Sequence, residues 1–336
     1  MSERLRVGIV GAGAITQVAH LPVLKRLKQV EVVALCDPDV PKARALAERF
    51  GVLDTYDDIE DMVQHAELQA LLVCSPNHLH ESHVLAGLSA GLHVLVERPM
   101  AMSAPSAQKL ARAAEKRQRV LMVGMNHRYR PDVQLVRSFV QSGELGEVDS
   151  VRGSWHLFKP SRQQAIWRQR RDTAGGGVLL DLGLGMLDLG LWLAGNPVPV
   201  RASATWDEPA RQRGVEQSGA AFVVCENGTS IFFDVTWHHV GPGERFGMGL
   251  RASKGTASVN PLSVWKELHG VPTDVSPTGS TSRETAFTLS YRAEWAHFLA
   301  AVAGDVKAPD LADMVQVHKV MDAIYRSAAE GKDISL

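Results

Sequence analysis

A run of apolar residues that breaks into closely spaced glycines constrains this chain most: residues 6–16 read R-V-G-I-V-G-A-G-A-I-T. Val7, Ile9 and Val10 fit a buried strand, and Gly11 and Gly13 let the backbone turn sharply and approach a pyrophosphate with no Cβ in the way. The helix predicted from about Ala14 aims its unpaired amides, beginning with Ala14 and Ile15, at that phosphate. Thr16 stands where the third glycine of GxGxxG is found, so helix and strand are expected slightly further apart. Alone the pattern is weak, because glycine-rich turns close many strands. It strengthens about twenty residues on, where E-V-V-A-L-C-D-P-D puts Asp37 at the end of a second strand, the place for a carboxylate that binds two ribose hydroxyls. A helix over residues 16–27 completes the β-α-β unit.

The 336 residues, 45% hydrophobic and 22% charged, suffice for two domains with real cores. Lys plus Arg number 36 against 37 Asp plus Glu, so no global field draws the chain to nucleic acid or to a membrane surface. Cys36, Cys74 and Cys225 are far apart and read as reduced core residues of a cytoplasmic protein. The start, M-S-E-R-L-R, leads into the first strand with no signal-peptide apolar core. The longest apolar segment, residues 178–195, carries Asp181 and Asp188, each costing roughly 2.5 to 3.5 kcal/mol at a bilayer centre, and reads as a buried helix.

Further along, helices are predicted over 41–50, 78–90 and 104–116, and strands over 70–74, 93–96 and 119–124. At least five strands alternating with helices make a parallel sheet covered on both faces, a doubly wound Rossmann arrangement in the α/β class. The turn S-P-N-H-L-H, with Ser75, Asn77 and His80, follows a strand whose end faces the cofactor crevice of such a sheet. From Met125 the grammar changes. Residues 147–158 form one long strand, and a loop rich in cations follows, with Lys159, Arg162, Arg168, Arg170 and Arg171. Beyond a helix over 177–194, β-rich runs at 198–206, 219–225, 230–237, 246–252 and 256–260 predict an open, mostly antiparallel sheet in an α+β domain. Apolar stripes through Tyr291, Trp295, Phe298 and Val302, and through Met314, Val317, Met321 and Ile324, mark two closing helices. The expected domains are 1–125 and 126–336.

In order and spacing, the G-A-G-A-I-T turn, Asp37, S-P-N-H-L-H, A-G-L-H-V-L-V-E-R-P, W-R before G-G-G-V-L-L-D-L-G, K-G-T-A-S-V and A-I-Y-R-S-A-A-E-G run nearly end to end. With these the chain resembles the glucose-fructose oxidoreductase, inositol dehydrogenase and rhizopine-catabolism (Gfo/Idh/MocA) family. The resemblance implies a dinucleotide domain followed by an open-faced sheet domain, and hydride transfer between nicotinamide and a hydroxyl carbon of a sugar or polyol. It implies cofactor contacts at Gly11, Gly13, Ala14, Ile15, Asp37, Ser75, Asn77, His80, Glu97, Arg98, Asn126, Trp167 and Arg168. It also implies self-association, as a homodimer or homotetramer, through the exposed sheet face, where Phe233 and Val235 would otherwise meet water.

Two departures bear on chemistry. The family tripeptide Glu-Lys-Pro is Glu97-Arg98-Pro99 here, and Gly185 stands where a histidine follows the aspartate Asp181 by four residues. A guanidinium stays protonated, so Arg98 orients substrate or cofactor but cannot cycle a proton. Asp181 is left as the surviving acid or base, with His156 or His239 among the groups that could occupy the vacated space. The substrate pocket is therefore expected at Arg98, Asn126, His156, Arg168, Asp181 and Gly185. Bland readings stand beside these: Asp181 as a helix-end hydrogen-bond partner, Arg98 as an ion-pair partner, and His156 on either strand face. His78, His80, His83 and His93 lack the spacing of a metal site and read as capping and packing residues, so no metal is expected. Asp37 and Asp39, with no adjacent arginine, favour NAD over NADP. The cations after Lys159 predict a substrate bearing a carboxylate or phosphate. The alternatives to dehydrogenase turnover are a cofactor-binding sensor or partner subunit and a redox-neutral reaction assisted by bound NAD.

Overall fold

Alternation of apolar strands with amphipathic helices in the first third of the chain is realised as six parallel strands. The computed structural model describes residues 4–159, 166–207, 214–277 and 284–336. Strands β1 (Leu5–Val10), β2 (Val30–Cys36), β3 (Asp54–Tyr56), β4 (Ala70–Val73), β5 (His93–Glu97) and β6 (Leu121–Gly124) lie in the order β3-β2-β1-β4-β5-β6. The reversal falls between β1 and β4, so the turns after these strands open at the position where doubly wound sheets bind ligands. β4 and β6 are buried along their whole lengths, as expected for strands covered on both faces.

Local chemistry explains where the helices begin. Asp39 caps Val40–Phe50, Asp58 caps Ile59–His65 and Ser103 caps Ala104–Arg117, each side chain accepting from a first-turn amide. Phe287–Val315 folds with Met1–Asn126 as one compact unit, while His127–Ala286 and Gln316–Leu336 form the other. The second domain, expected as one continuous stretch over 126–336, is thus interrupted by Phe287–Val315. The cause lies in the helix Ala286–Ala303, whose Ser290, Tyr291 and Trp295 bond to Asn126, Glu97 and His20 of the first unit.

The second unit is built on nine strands: β7 (Val148–His156), β8 (Pro199–Trp206), β9 (Ser218–Cys225), β10 (Ser230–Thr236), β11 (Arg245–Ala252), β12 (Gly255–Val259), β13 (Ser263–Leu268), β14 (Val271–Asp274) and β15 (Ile334–Ser335). Their order is β14-β13-β12-β11-β7-β10-β9-β8-β15, antiparallel except for the parallel β7–β10 pair. The helical segment Leu179–Gly183, continuing through Leu184–Leu193, covers one face. A Cβ at Gly183 would press on Phe233, and one at Gly190 on Ile231, so small residues bring helix and sheet together. Phe233 and Val235 are 0% and 2% exposed, which corrects their expected place on the open face. Burying a side chain such as Phe233 contributes about 1.5 to 3 kcal/mol. The residues that meet solvent are Phe222 and Phe232, one step out of phase. Among the described residues one helical run, Arg171–Leu193, is long and apolar enough to cross a membrane, and 89% of its apolar window is buried inside the protein.

Candidate active site

The end of β1 is shaped to admit a phosphate. Gly11 has φ +101°, and a Cβ there would lie 2.5 Å from the Cys74 carbonyl, so only glycine fits the turn. At Gly13, in contrast, a Cβ would meet nothing within 4 Å, which leaves open space beside the turn, with Ala14 exposed and Ile15 half-buried at the start of the helix. Thr16 is fully buried and its hydroxyl donates to Gly11 O at 2.6 Å. The helix widens to a π turn from this residue over Thr16–His20, so the larger side chain is accommodated where a glycine was expected. Asp37, 7% exposed, accepts Ala12 N–H on Oδ2 at 2.8 Å and Asp39 N–H on Oδ1 at 3.0 Å. Lys42 Nζ lies 2.9 Å from Oδ1, so the carboxylate is fixed in orientation before any ribose arrives. These features fit NAD: a glycine turn for the pyrophosphate, a helix N-terminus behind it and an immobilised acid for the adenosine ribose.

The turns after β4 and β5 are tied to each other. His80, 1% exposed, has Nδ1 2.7 Å from Pro99 O and Nε2 2.8 Å from Ser75 O. Two carbonyls only accept, so the ring makes both bonds when both nitrogens carry protons. Ser75 Oγ in turn meets His83 Nδ1 at 2.9 Å, and burial, followed by the nearby His80, pushes the His83 imidazole down to about 4. Asn77 begins the helix Asn77–Ser89. His93 Nδ1 accepts Val120 N–H. His80, His83 and His93 serve packing and turn geometry.

Glu97 faces inward. Its Oε1 takes His20 Nε2 at 2.9 Å and the Tyr291 hydroxyl at 3.3 Å, and its Oε2 takes Arg98 N–H at 3.3 Å. Trp295 Nε1–H donates to His20 Nδ1 at 3.0 Å, which leaves the His20 proton on Nε2 for Glu97. Burial works against its charge, yet the His20 bond and the Arg98 charge hold the Glu97 carboxyl below the usual range. Close by, Glu294 is 0% exposed with no partner for either oxygen; burial, then the Glu97 charge, pushes it well above the usual range. Sequence reasoning missed Glu294 altogether, although a glutamate directly before Trp295 in an apolar stripe was a signal. Asn126, expected at the ligand, is 4% exposed and donates to Ser290 Oγ at 3.1 Å. It is used to hold a helix.

In the second unit, Asp181 receives two cations: Lys159 Nζ at 3.2 Å from Oδ2 and Arg168 Nη1 at 3.2 Å from Oδ1. Arg168 also lies 4.4 Å over the Trp167 ring, and Thr173 Oγ1 donates to Trp167 O, which braces this short turn. The helix that carries Asp181 is pinned from afar. Glu216 Oε1 accepts Gly177 N–H at 2.8 Å, Leu179 N–H at 3.0 Å and the Tyr325 hydroxyl at 2.7 Å. A Cβ on Gly177 would collide with the Glu216 backbone, which accounts for part of the G-G-G run. Gly185 is buried in the helix, and Asp188 forms a buried two-pronged pair with Arg128, a structural role.

His156 does not join Asp181. Along β7 and β10 the residues Trp155, Phe233 and Val235 face the helix, so His156 and Asp234 project from the other face, where they pair, with the His239 ring 5.7 Å away. The anion-binding reading of the basic loop also loses its support. Lys159 and Arg168 engage Asp181, Arg170 pairs with Asp172, and Arg171 lies over Trp206 and Tyr325. Arg162 lies outside the described residues.

Comparison with known proteins agrees with this geometry. Residues 5–125 match the oxidoreductase family with an NAD-binding Rossmann fold, and residues 133–258 match the GFO/IDH/MocA C-terminal domain. The D-glucoside 3-dehydrogenase of Escherichia coli (strain K12) is 32% identical over 254 residues, spanning 71% of this chain and 69% of its own. Among solved structures, GenD2 from gentamicin A biosynthesis, in complex with NAD, superposes with TM-score 0.87 at 27% identity, covering 100% of this chain and 97% of that one. Levoglucosan dehydrogenase in complex with NADH and levoglucosan has the same fold, with TM-score 0.89, 20% identity and 99% of both chains covered. The chain belongs to the Gfo/Idh/MocA family of NAD-binding oxidoreductases.

Proposed function

We propose that this protein oxidises a secondary hydroxyl of a sugar or polyol with NAD, or reduces the corresponding ketone with NADH. The observation that carries the reading is Asp37, whose carboxylate is held by Ala12 N–H and Asp39 N–H at the end of β2. The names of two relatives, a D-glucoside 3-dehydrogenase and a levoglucosan dehydrogenase, support a sugar-like substrate, and the engagement of Lys159 and Arg168 by Asp181 favours a neutral one. NAD, when bound, supplies the hydride acceptor. The chain's own residues do the rest: Gly11 and Gly13 admit the pyrophosphate, Asp37 takes the adenosine ribose, and Arg98 orients without exchanging a proton. Asp37 and Asp39 present like charge to a 2′-phosphate, so NAD is favoured over NADP. Assay of the purified protein with a panel of neutral glycosides, cyclitols and sugar acids tests the reading. NADH growing with substrate supports it. Sugar consumed without net NADH would indicate redox-neutral chemistry, and binding without conversion a sensor.

Self-association through the open sheet face is part of the same reading, supported by the exposed Phe222 and Phe232, which line a groove with Val151, Arg152 and Ser230. Light scattering that finds only monomer at micromolar concentration contradicts it. Cytoplasmic residence is proposed on the three unpaired cysteines, of which Cys36 is made unreactive by burial and nearby Asp58, which push its thiol up to about 12.

A further inference from the structure

We infer that Lys42 sets how strictly this protein separates NAD from NADP: its ammonium offsets the Asp37 charge and is the cation a 2′-phosphate would meet, so that NADPH is admitted as a second, weaker cofactor. The inference rests on the reading of Asp37 as the ribose acid and deepens it.

Without Lys42 this corner of the first unit is acidic. Asp37 is 7% exposed at the end of β2, and Asp39 N–H donates to its Oδ1. The Cys36 thiol, raised first by burial, is raised further by Asp58, Asp37 and Asp57, which gathers three of the four carboxylates around the same strand end. Like charge of this kind rejects a phosphate.

Lys42 is the exception. It lies in the first turn of the helix Val40–Phe50, where Asp39 Oδ1 accepts its backbone N–H at 3.2 Å. From there Nζ reaches to 2.9 Å from Asp37 Oδ1, and among the described residues no other cation pairs with that carboxylate. A ribose hydroxyl donating to Oδ1 would stand about 2.8 Å away, so Nζ lies within roughly 6 Å of a phosphate carried on that oxygen. The side chain is 39% exposed on a flexible four-carbon stem, which can swing from carboxylate to phosphate. With NAD the ammonium stays on Asp37 and holds it for the diol. With NADP it meets the phosphate while Asp37 and Asp39 repel it, so NADPH binds, but more weakly than NADH. Arg44, two residues further along the helix, projects about 200° around its axis from Lys42 and serves as the control.

Fluorescence titration of the full-length protein with NADH and with NADPH tests this without turnover. The wild type is expected to bind NADPH measurably, and Lys42→Ala to weaken NADPH about tenfold but NADH no more than about threefold. The ratio thus widens, opposite to the effect of Asp37→Ala. Lys42→Arg keeps the charge and is expected to keep the wild-type ratio, and Arg44→Ala to leave it unchanged. Added salt should weaken NADPH more than NADH in the wild type, a difference that Lys42→Ala loses and that a merely structural role would not move. Lys42→Ala that changes both affinities in proportion, an equal effect of Arg44→Ala, or a wild type with no measurable NADPH binding overturns the inference and leaves the NAD reading standing. A wild type that binds neither nucleotide overturns that reading and this inference with it.

Discussion

Glu294→Gln removes an ionisable group from the interior while keeping its shape. Glu294 is 0% exposed, its oxygens have no partner, and burial, followed by repulsion from Glu97, pushes its pKa well above the ordinary 4.5. The folded protein therefore keeps a proton that the unfolded chain gives up as pH passes 4.5. Stability from this group is fully present below that value and is lost as pH rises toward the folded pKa, at up to about 1.36 kcal/mol per pH unit. A glutamine has no proton to lose, so the wild type falls behind as the solution becomes alkaline. Between about pH 5.5 and 7.5 the gap in favour of Glu294→Gln should widen by up to about 2.7 kcal/mol, roughly 5 to 10 °C in melting temperature. Urea unfolding of both proteins at the two pH values reads this directly. A gap that stays constant, or closes with rising pH, would show that Glu294 is ionised in the fold and that the Glu97 network is arranged differently.

Glu216→Ala leaves Gly177 N–H, Leu179 N–H and the Tyr325 hydroxyl without their acceptor; it should cost roughly 3 to 5 kcal/mol, and Glu216→Gln, which retains a carbonyl, should recover most of it in the same denaturation assay. Because the half-buried His83 has its pKa lowered to about 4, the unfolded chain takes up its proton first, so stability should decline as pH falls from about 6.5 to 4, and His83→Gln should flatten that decline in thermal melts. Gly185→His, placed in a buried helix, should lose about 1 to 3 kcal/mol by overpacking. Combined with Arg98→Lys it should not raise kcat; a stable and faster double variant would mean the site is open and waits for the lost imidazole. Asp37→Ala should narrow the preference for NADH over NADPH, measured by fluorescence titration, and an unchanged ratio would remove Asp37 from ribose recognition.

The first unit was legible in the sequence because its signals are local. The glycine turn, the apolar strands and the capping residues each lie within a few positions of the element they specify, and Asp37 falls at a fixed distance from Gly11. The second unit was legible in its strands β8 to β12 but not in its phase. In I-F-F-D-V-T the three successive apolar residues Ile231, Phe232 and Phe233 compete for the buried side, and only the polar Asp234 and Thr236 reveal that Phe232 shares their face. The same alternation decides that His156 lies away from Asp181. The return of Tyr291 and Trp295 to the first unit depends on contacts with residues nearly two hundred or more positions earlier, which no local pattern encodes. The partners of Asp181 were visible as a basic loop and read as an anion cradle, because composition gives the charges but not their pairing. That Lys159 and Arg168 both engage Asp181 emerges only from the fold.

The central claim is hydride transfer between a sugar-like alcohol and NAD, and the direct measurement is nicotinamide absorbance during incubation of the purified protein with NAD and neutral glycosides or cyclitols. The account predicts that NADH accumulates with at least one neutral sugar, saturably in substrate, with NADP a poorer acceptor. Tight binding of NAD with no NADH formed from any sugar in the panel, or sugar consumed without net NADH, would contradict it.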